Sequence, residues 1–416
     1  MYQRFVTKGF AVSTAEIAKQ FDISHMDSGF ADNPYPVYRA LRDHDPVHRN
    51  ADGSYFLTRF EDVRRGLRDA CFSSDKRADF KPKFGDGTPL YVHHTTSIVF
   101  SDDPMHARIR KLLAAAFSPR KVAALEPIIE RFIEQSLDRL EDMGEFDVIK
   151  DYALGLPTEI IANMLGIPAD RRHKLHDYSN LILGALDPVV SPENLSAGHK
   201  AVEEFGSELA ELAARRRREP KTGSDAEVLT ALIFGEVDGE KLSDLELIHN
   251  CIFLLNAGHE TTANTVGNGL DSLLDYPDQL LLLRDDPGLI GTAIEEFLRF
   301  QSPLQIGNRK VLETVEFAGV EIQKGAFLYL CIAGANRDPD VFSDPERLDI
   351  TRDPNPHLAF GTGKHICMGN TLGRIEGQTA IGKLVQRFPK LQRNGDKKWH
   401  GRSRFRGLSA FPVRVR

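Results

Sequence analysis

From residue 242 to residue 276 apolar side chains recur at helical period with no proline, and the run is bounded by Ser243, a good N-cap, and Pro277, which stops it. Its centre, Cys251-Ile252-Phe253-Leu254-Leu255-Asn256-Ala257-Gly258, is apolar on nearly every face, so this helix is expected to run through a core rather than over one. Covering such a helix on all sides takes many other elements. A chain of 416 residues has them, as one large domain or two ordinary ones.

The rest of the chain predicts mostly helix, at residues 36–42, 60–68, 107–117, 121–140, 157–164, 199–218, 226–234, 287–300 and 368–387. Val47-His48-Arg49 and Tyr55-Phe56-Leu57-Thr58 flank Asp52-Gly53, a hairpin signal. Pro82, Gly85, Gly87 and Pro89 erase the period between residues 78 and 100, which predicts a long ligand-facing connection; residues 183–195, with Pro188 and Pro192, predict a second. Residues 307–332 read as strands, 336–362 as irregular, and 402–415 as a terminal strand pair. No repeat and no break in composition divides the chain, so residues 1–416 are read as a single domain with a small β-rich part near the N-terminus.

Composition excludes several classes of function. Hydrophobic residues make up 41% and charged residues 27%, which fits a folded chain rather than a disordered or membrane-dominated one. A net charge of −7 gives no overall attraction to nucleic acid or to an anionic membrane. No uncharged apolar run approaches the roughly 20 residues of a spanning helix, and the first residues lack the apolar core of a signal peptide, so a cytoplasmic protein without a membrane anchor is expected. Cys71, Cys251, Cys331 and Cys367 are too scattered for a disulfide framework, and any one of them could carry chemistry.

The most specific local pattern is Phe360-Gly361-Thr362-Gly363-Lys364-His365-Ile366-Cys367-Met368-Gly369. Here a cysteine sits where a glycine-bearing loop hands over to a helix, so backbone N–H groups and the positive helix end favour a thiolate. Gly363 and Gly369 allow close approach to whatever the sulfur holds, and Phe360 can wall the site from water. A dinucleotide loop fails because position 366 is Ile and no apolar strand immediately precedes it. Zinc fails because His365 and Cys367 have no second ligand pair at the usual spacing. An inert buried cysteine is the plain reading of a lone thiol, and the joint pattern of Phe, Gly, Cys and Gly argues against it.

This loop resembles the Phe-x-x-Gly-x-x-x-Cys-x-Gly signature of the haem-thiolate monooxygenases, the cytochrome P-450 family. The resemblance implies that Cys367 is the axial ligand of the iron of haem b, and that His365 partners a haem propionate. Glu296-Phe297-Leu298-Arg299 looks like the family's Glu-x-x-Arg element, and Asn336-Arg337-Asp338-Pro339 like the segment that supplies a third partner, implying a buried network of Glu296, Arg299 and Arg337 beneath the Cys loop. Ala257-Gly258-His259-Glu260-Thr261-Thr262 is similar to the family's acid-alcohol element, which implies that Thr261 stabilises bound oxygen and Glu260 delivers protons through water; without the likeness it would be a polar helix turn. His106 and Arg110 share a helix face, where two cations gain nothing from each other and two carboxylates would suit both. With Arg309 they resemble the family's propionate clamp.

The fold this likeness implies is mainly α with small β-sheets, a single triangular-prism-like cytochrome P-450 fold whose long central helix passes over haem. The activity implied is insertion of one oxygen atom from O2 into a small hydrophobic or aromatic substrate. No nucleotide-binding fingerprint is present, so electrons are expected from separate partners, a ferredoxin and a ferredoxin reductase supplied by NAD(P)H, with Arg110, Lys111 and Arg374 as candidate docking cations. By the same likeness residues 85–99, residues 183–190, Leu254, Ala257 and residues 304–308 line the pocket, where His93, Ser97, Gln305 and Asn308 can orient a polar group. A haem-thiolate sensor or isomerase would share Cys367 without needing Glu260 and Thr261, and a peroxide-driven oxygenase would usually replace that pair. Gly373 stands where the family often has Ala.

Overall fold

A computed structural model of the chain describes residues 13–26, 28–187, 190–219 and 227–416. The long periodic segment is one unbroken helix, Asp244–Asp275, whose 32 residues span about 48 Å at 1.5 Å per residue. Its start is set by a capping box in which the Ser243 hydroxyl accepts from the Glu246 N–H at 3.3 Å and the Glu246 carboxylate accepts from the Ser243 N–H at 2.9 Å. Around it pack Gly155–Leu165, Leu175–Gly184, Pro192–Arg218, Ile290–Phe300 and Asn370–Arg387. These helices cover it on successive faces, which is why an all-round apolar centre is stable there.

Among the described residues four small sheets complete the fold. In chain order the strands are β1 (Val47–Arg49), β2 (Tyr55–Leu57), β3 (Phe72–Ser73), β4 (Glu145–Asp147), β5 (Ile306–Val311), β6 (Val315–Phe317), β7 (Val320–Ile322), β8 (Phe327–Cys331), β9 (Gln392–Arg393), β10 (Lys398–Trp399), β11 (Leu408–Ala410) and β12 (Pro412–Arg414). The main sheet runs β1-β2-β8-β5-β3, antiparallel except for the parallel β2–β8 pair. The hairpin predicted around Asp52-Gly53 is β1–β2, with Val47 opposite Leu57 and Gly53 at φ +85° in the turn.

Three expectations need correction. Residues 78–100 are not a structureless connection but two short helices, Arg77–Phe84 and Pro89–Thr96, followed by a 3-10 turn, Ile98–Phe100. The residues that broke the period act as punctuation: Gly85, at φ +88°, closes the first helix and Pro89 opens the second. Ahead of the second ligand-side segment, and overlapping only its first two residues, stands a helix the sequence pattern does not give, Leu175–Gly184, and Pro192 opens Pro192–Arg218 seven residues earlier than expected at 199; Pro188 and Val189 lie outside the described residues, as does Ala226 of the helix now bounded by Val228–Phe234. The last two strands do not pair with each other: β11 pairs with β10, and β12 lies between β4 and β9. No helix among the described residues is long and apolar enough to cross a membrane.

Candidate active site

The Cys loop is held open and apart by its own backbone. The Cys367 N–H donates to the Phe360 carbonyl at 2.9 Å, the Gly361 N–H to Leu358 O at 2.8 Å, and the Asn370 side chain to Cys367 O at 2.6 Å, just before the helix Asn370–Arg387. Burial pushes the Cys367 thiol up, while the Gly369 N–H, Arg110 and Arg374 pull it back toward the thiolate. The helix end alone therefore does not make the thiolate expected from sequence; a cation at the sulfur would add the missing stabilisation. Cys251 and Cys331 are fully buried and have no comparable set of cations, and burial takes Cys251 to about 12. Gly363 has its own reason to be glycine: it sits at φ +71°, and a Cβ there would lie 2.9 Å from the Arg68 Cα. Phe360 is half-buried beneath the Arg374 guanidinium, 4.5 Å from its ring centroid.

Four basic side chains gather beside this loop. His106 and Arg110, on the helix Met105–Ala116, meet His365: the two imidazoles lie 4.0 Å apart and Arg110 donates to Ile366 O at 2.9 Å. Arg309, on β5, adds its charge to His365, and its guanidinium's one hydrogen bond among the described residues is to the neighbouring Asn308 O at 2.8 Å. Against these stand two carboxylates among the described residues, both already engaged: Asp103, 3.7 Å from His106 and paired with Lys364, and Asp102, which accepts from the Ser73 hydroxyl and the Ser74 N–H. Burial and the neighbouring cations push His365 down to about 3, and burial holds Arg309 down at about 10. The buried His106 Nε2 has no hydrogen-bond partner among the described residues. Donors this crowded and this poorly matched suit an added group bearing two carboxylates, as haem does.

On the central helix Ala257 is exposed and Gly258 and Thr261 partly so, one stripe in a stretch from Leu247 to Leu273 whose other residues are buried apart from the partly buried Ile248 and Phe253. The Thr261 hydroxyl donates to Ala257 O, four residues back, at 2.7 Å. Gly258 is explained by packing: a Cβ would lie 2.9 Å from Ile161 Cδ1. Glu260 points the other way into a polar pocket that sequence reading missed, where Arg402 reaches its two oxygens at 2.9 and 2.8 Å and His400 approaches to 3.5 Å. Burial raises the Glu260 carboxyl and Arg402 partly restores its charge. Next to it Thr262 donates to the buried Glu376 at 3.2 Å, which joins the central helix to the helix that follows Cys367.

Under the Cys loop Glu296 and Arg299 are fully buried and paired at 2.7 and 2.8 Å. The third partner is Arg352 and not Arg337: Arg352 Nε lies 3.2 Å from Glu296, joined by the Asn355 amide at 3.0 Å and the Asp349 N–H at 2.9 Å. Arg337 instead binds Phe300 O at 2.6 Å and Glu346 at 2.7 Å and stacks on Tyr35. Of the expected docking cations, Arg374 is held by Glu295 at 2.6 and 2.8 Å and Lys111 by Asp238 at 3.0 Å.

A family model described as Cytochrome P450 matches residues 71–285 and 289–404. The chain is 38% identical over 411 residues to cytochrome P450 107B1 of Saccharopolyspora erythraea, covering 94% of this chain and 98% of that protein. It is 36% identical over 396 residues to the biotin biosynthesis cytochrome P450 of Bacillus subtilis, covering 94% and 98%. Among solved structures it is similar to P450BioI in complex with hexadec-9Z-enoic acid ligated acyl carrier protein, with a TM-score of 0.88 at 34% identity over 94% of this chain and 99% of that one. Likeness over nearly the whole length, with the cysteine loop in its place ahead of the helix Asn370–Arg387, decides the matter: the chain belongs to the cytochrome P450 family, haem-containing oxidoreductases of the monooxygenase class.

Proposed function

We propose that this protein inserts one oxygen atom from O2 into a small hydrophobic or aromatic organic substrate, by hydroxylation or O-dealkylation, using electrons from a separate ferredoxin and its NAD(P)H-linked reductase. Cys367 would hold the iron of haem b, and His106, Arg110, Arg309 and His365 its propionates, with Phe360, Gly363 and Gly369 shaping the loop. When bound, the haem with a thiolate ligand supplies the activation of dioxygen.

The observation that carries the oxygenase reading is the pairing of Thr261 and Glu260 on the central helix. The Thr261 hydroxyl gives its one proton to Ala257 O at 2.7 Å, which fixes Oγ1 as an acceptor on the partly exposed stripe until that proton is redirected. The Glu260 carboxylate, buried one residue away, exchanges protons against the fixed charge of Arg402 at 2.8 Å. A sensor or an isomerase of this family has no use for that pair. Four free thiols support action in a reducing, cytoplasmic setting. The test is turnover with a surrogate ferredoxin and reductase under labelled O2: label enters the product, and Thr261→Ala lowers the ratio of product to NADPH consumed several-fold. Unchanged coupling in that variant contradicts the reading.

A further inference from the structure

The segment before β11 carries a positive charge that no hydrogen bond or ion pair among the described residues answers. Its other basic residues are placed: Arg402 binds Glu260 at 2.8 Å, and Arg406 binds Gln301, Ala31 O and Asp32 O at 3.0, 2.7 and 2.9 Å. The Arg404 guanidinium makes no hydrogen bond and no ion pair among the described residues, and its Nε is buried without a partner. The Phe100 and Phe405 rings lie 5.8 and 5.9 Å from it, and Asp187 and the Arg309 cation are near enough to act on its charge without pairing. The Arg404 carbonyl accepts from the Gln305 N–H at 2.9 Å, and Phe405 bridges Leu304, so the side chain starts beside the segment expected to line the pocket. Arg402, two residues earlier, reaches Glu260 on the far side of the central helix, while His93, whose ring packs on that of His94, meets Asn256 of that helix at 3.3 Å, next to Ala257.

Chemistry separates this cation from its neighbours. Lys76, also buried and unpartnered at Nζ, is pushed down to about 7 and can shed its proton. His94, whose Nε2 is buried without a partner and whose ring meets Phe100 edge-on at 5.7 Å, is pushed down to about 3 and stays neutral. A guanidinium has no such escape, because it keeps its charge in any protein setting. The acid it feels most, Asp187, forms no ion pair with it and is itself driven toward the neutral form by burial. A partly buried charge that cannot shed its proton and has no partner among the described residues calls for an anion from outside.

We propose that Arg404 receives the carboxylate of an amphiphilic organic acid, with His94 Nε2 as a second donor, so that the substrate class is an acid whose apolar part extends toward Leu254 and Ala257. This rests on the oxygenase reading of the same chamber and specifies what enters it. The planar fork of arginine matches a carboxylate two bonds at a time, and the aromatic wall keeps water from competing.

The test is a binding titration of the haem-loaded protein with dodecanoic acid and with methyl dodecanoate, read by the shift in haem spin state and, independently, by equilibrium dialysis. A charged hydrogen bond in a dry site corresponds to roughly a tenfold or greater preference for the acid. That preference is expected in the unaltered protein, is expected to vanish in Arg404→Leu through weaker binding of the acid alone, and to return in part in Arg404→Lys. Equal affinity for acid and ester in the unaltered protein overturns the proposal, as does a preference that survives Arg404→Leu. Loss of haem from Arg404→Leu with the acid preference intact also overturns it, by giving the guanidinium to the cofactor. The carbon monoxide spectrum of each sample is recorded alongside: if the thiolate band is absent from the unaltered protein, the family-based reading of the site fails, and if it is present the binding data judge Arg404 alone.

Discussion

Replacing Glu296 by Gln keeps the shape of the side chain and removes the charge on which five donors converge. Arg299 Nε, Arg352 Nε and the Asn355 amide meet one oxygen, at 2.7, 3.2 and 3.0 Å, and Arg299 Nη2 and the Asp349 N–H meet the other, at 2.8 and 2.9 Å. An amide presents N–H to whichever set it faces, so at least two hydrogen bonds are lost while Arg299, fully buried, keeps its charge. Removing one partner of such a pair costs about 3–5 kcal/mol. Arg352→Met alone removes one charged hydrogen bond from this cluster, about 1.5–3 kcal/mol. Because both changes delete the same contact, the double variant should lose less than the sum, with a coupling of about 1.5–3 kcal/mol, whereas Glu296→Gln with Arg337→Met should add within about 0.5 kcal/mol. Urea unfolding followed by circular dichroism resolves this: at a slope near 3 kcal/mol per M, each kcal/mol moves the midpoint by about 0.3 M. Coupling to Arg352 below about 0.5 kcal/mol, or equal coupling to both arginines, would refute the assignment of Arg352 as the third member.

Three further outcomes follow from the same geometry. His259 donates to or accepts from Thr158 Oγ1 at 3.1 Å and is pushed down to about 3 by burial, so the unfolded chain takes up its proton near pH 6.5 while the folded one does not. Its contribution is therefore neutral above that pH, and it costs stability as pH falls from about 6.5 toward 3; between pH 7 and pH 5, urea midpoints should show His259→Gln losing about 2 kcal/mol less than the unaltered protein. Gly363→Ala must place a side chain at φ +71° against the Arg68 backbone, 2.9 Å away, so a loss of about 2 kcal/mol and a lower haem-to-protein ratio on purification are expected. Gly373→Ala meets only Phe360 Cε1 at 3.9 Å, an ordinary contact, within the helix Asn370–Arg387; thermal unfolding should show it neutral or more stable by up to about 1 kcal/mol.

Which parts could be read from the sequence follows from the range of the forces involved. The central helix was legible because its cap, its period and its terminating proline are local, and the structure places its start one residue from Ser243. The helices Arg77–Phe84 and Pro89–Thr96 were not, since proline and glycine look alike as breakers and as caps until the flanking backbone is seen. The gathering of His106, Arg110, Arg309 and His365 rests on a motif match whose physical sense, shared need for anions, carries across the sequence. Glu296 accepts from Arg352 and not Arg337 because both lie in irregular backbone, where spacing says nothing about direction. Arg402 and Arg404 read in the sequence as alternating strand residues near the end, and only tertiary contact reveals one guanidinium bound to Glu260 and the other without a hydrogen bond or ion pair among the described residues.

The central claim is that Cys367, alone of the four cysteines, ligates the haem iron. Reducing the purified protein under carbon monoxide and recording its absorption tests it directly. The account predicts the strongly red-shifted band of a thiolate-ligated haem in the unaltered protein and in Cys71→Ala, and its absence from Cys367→Ala. A band missing from the unaltered protein, or one that survives Cys367→Ala, would contradict it.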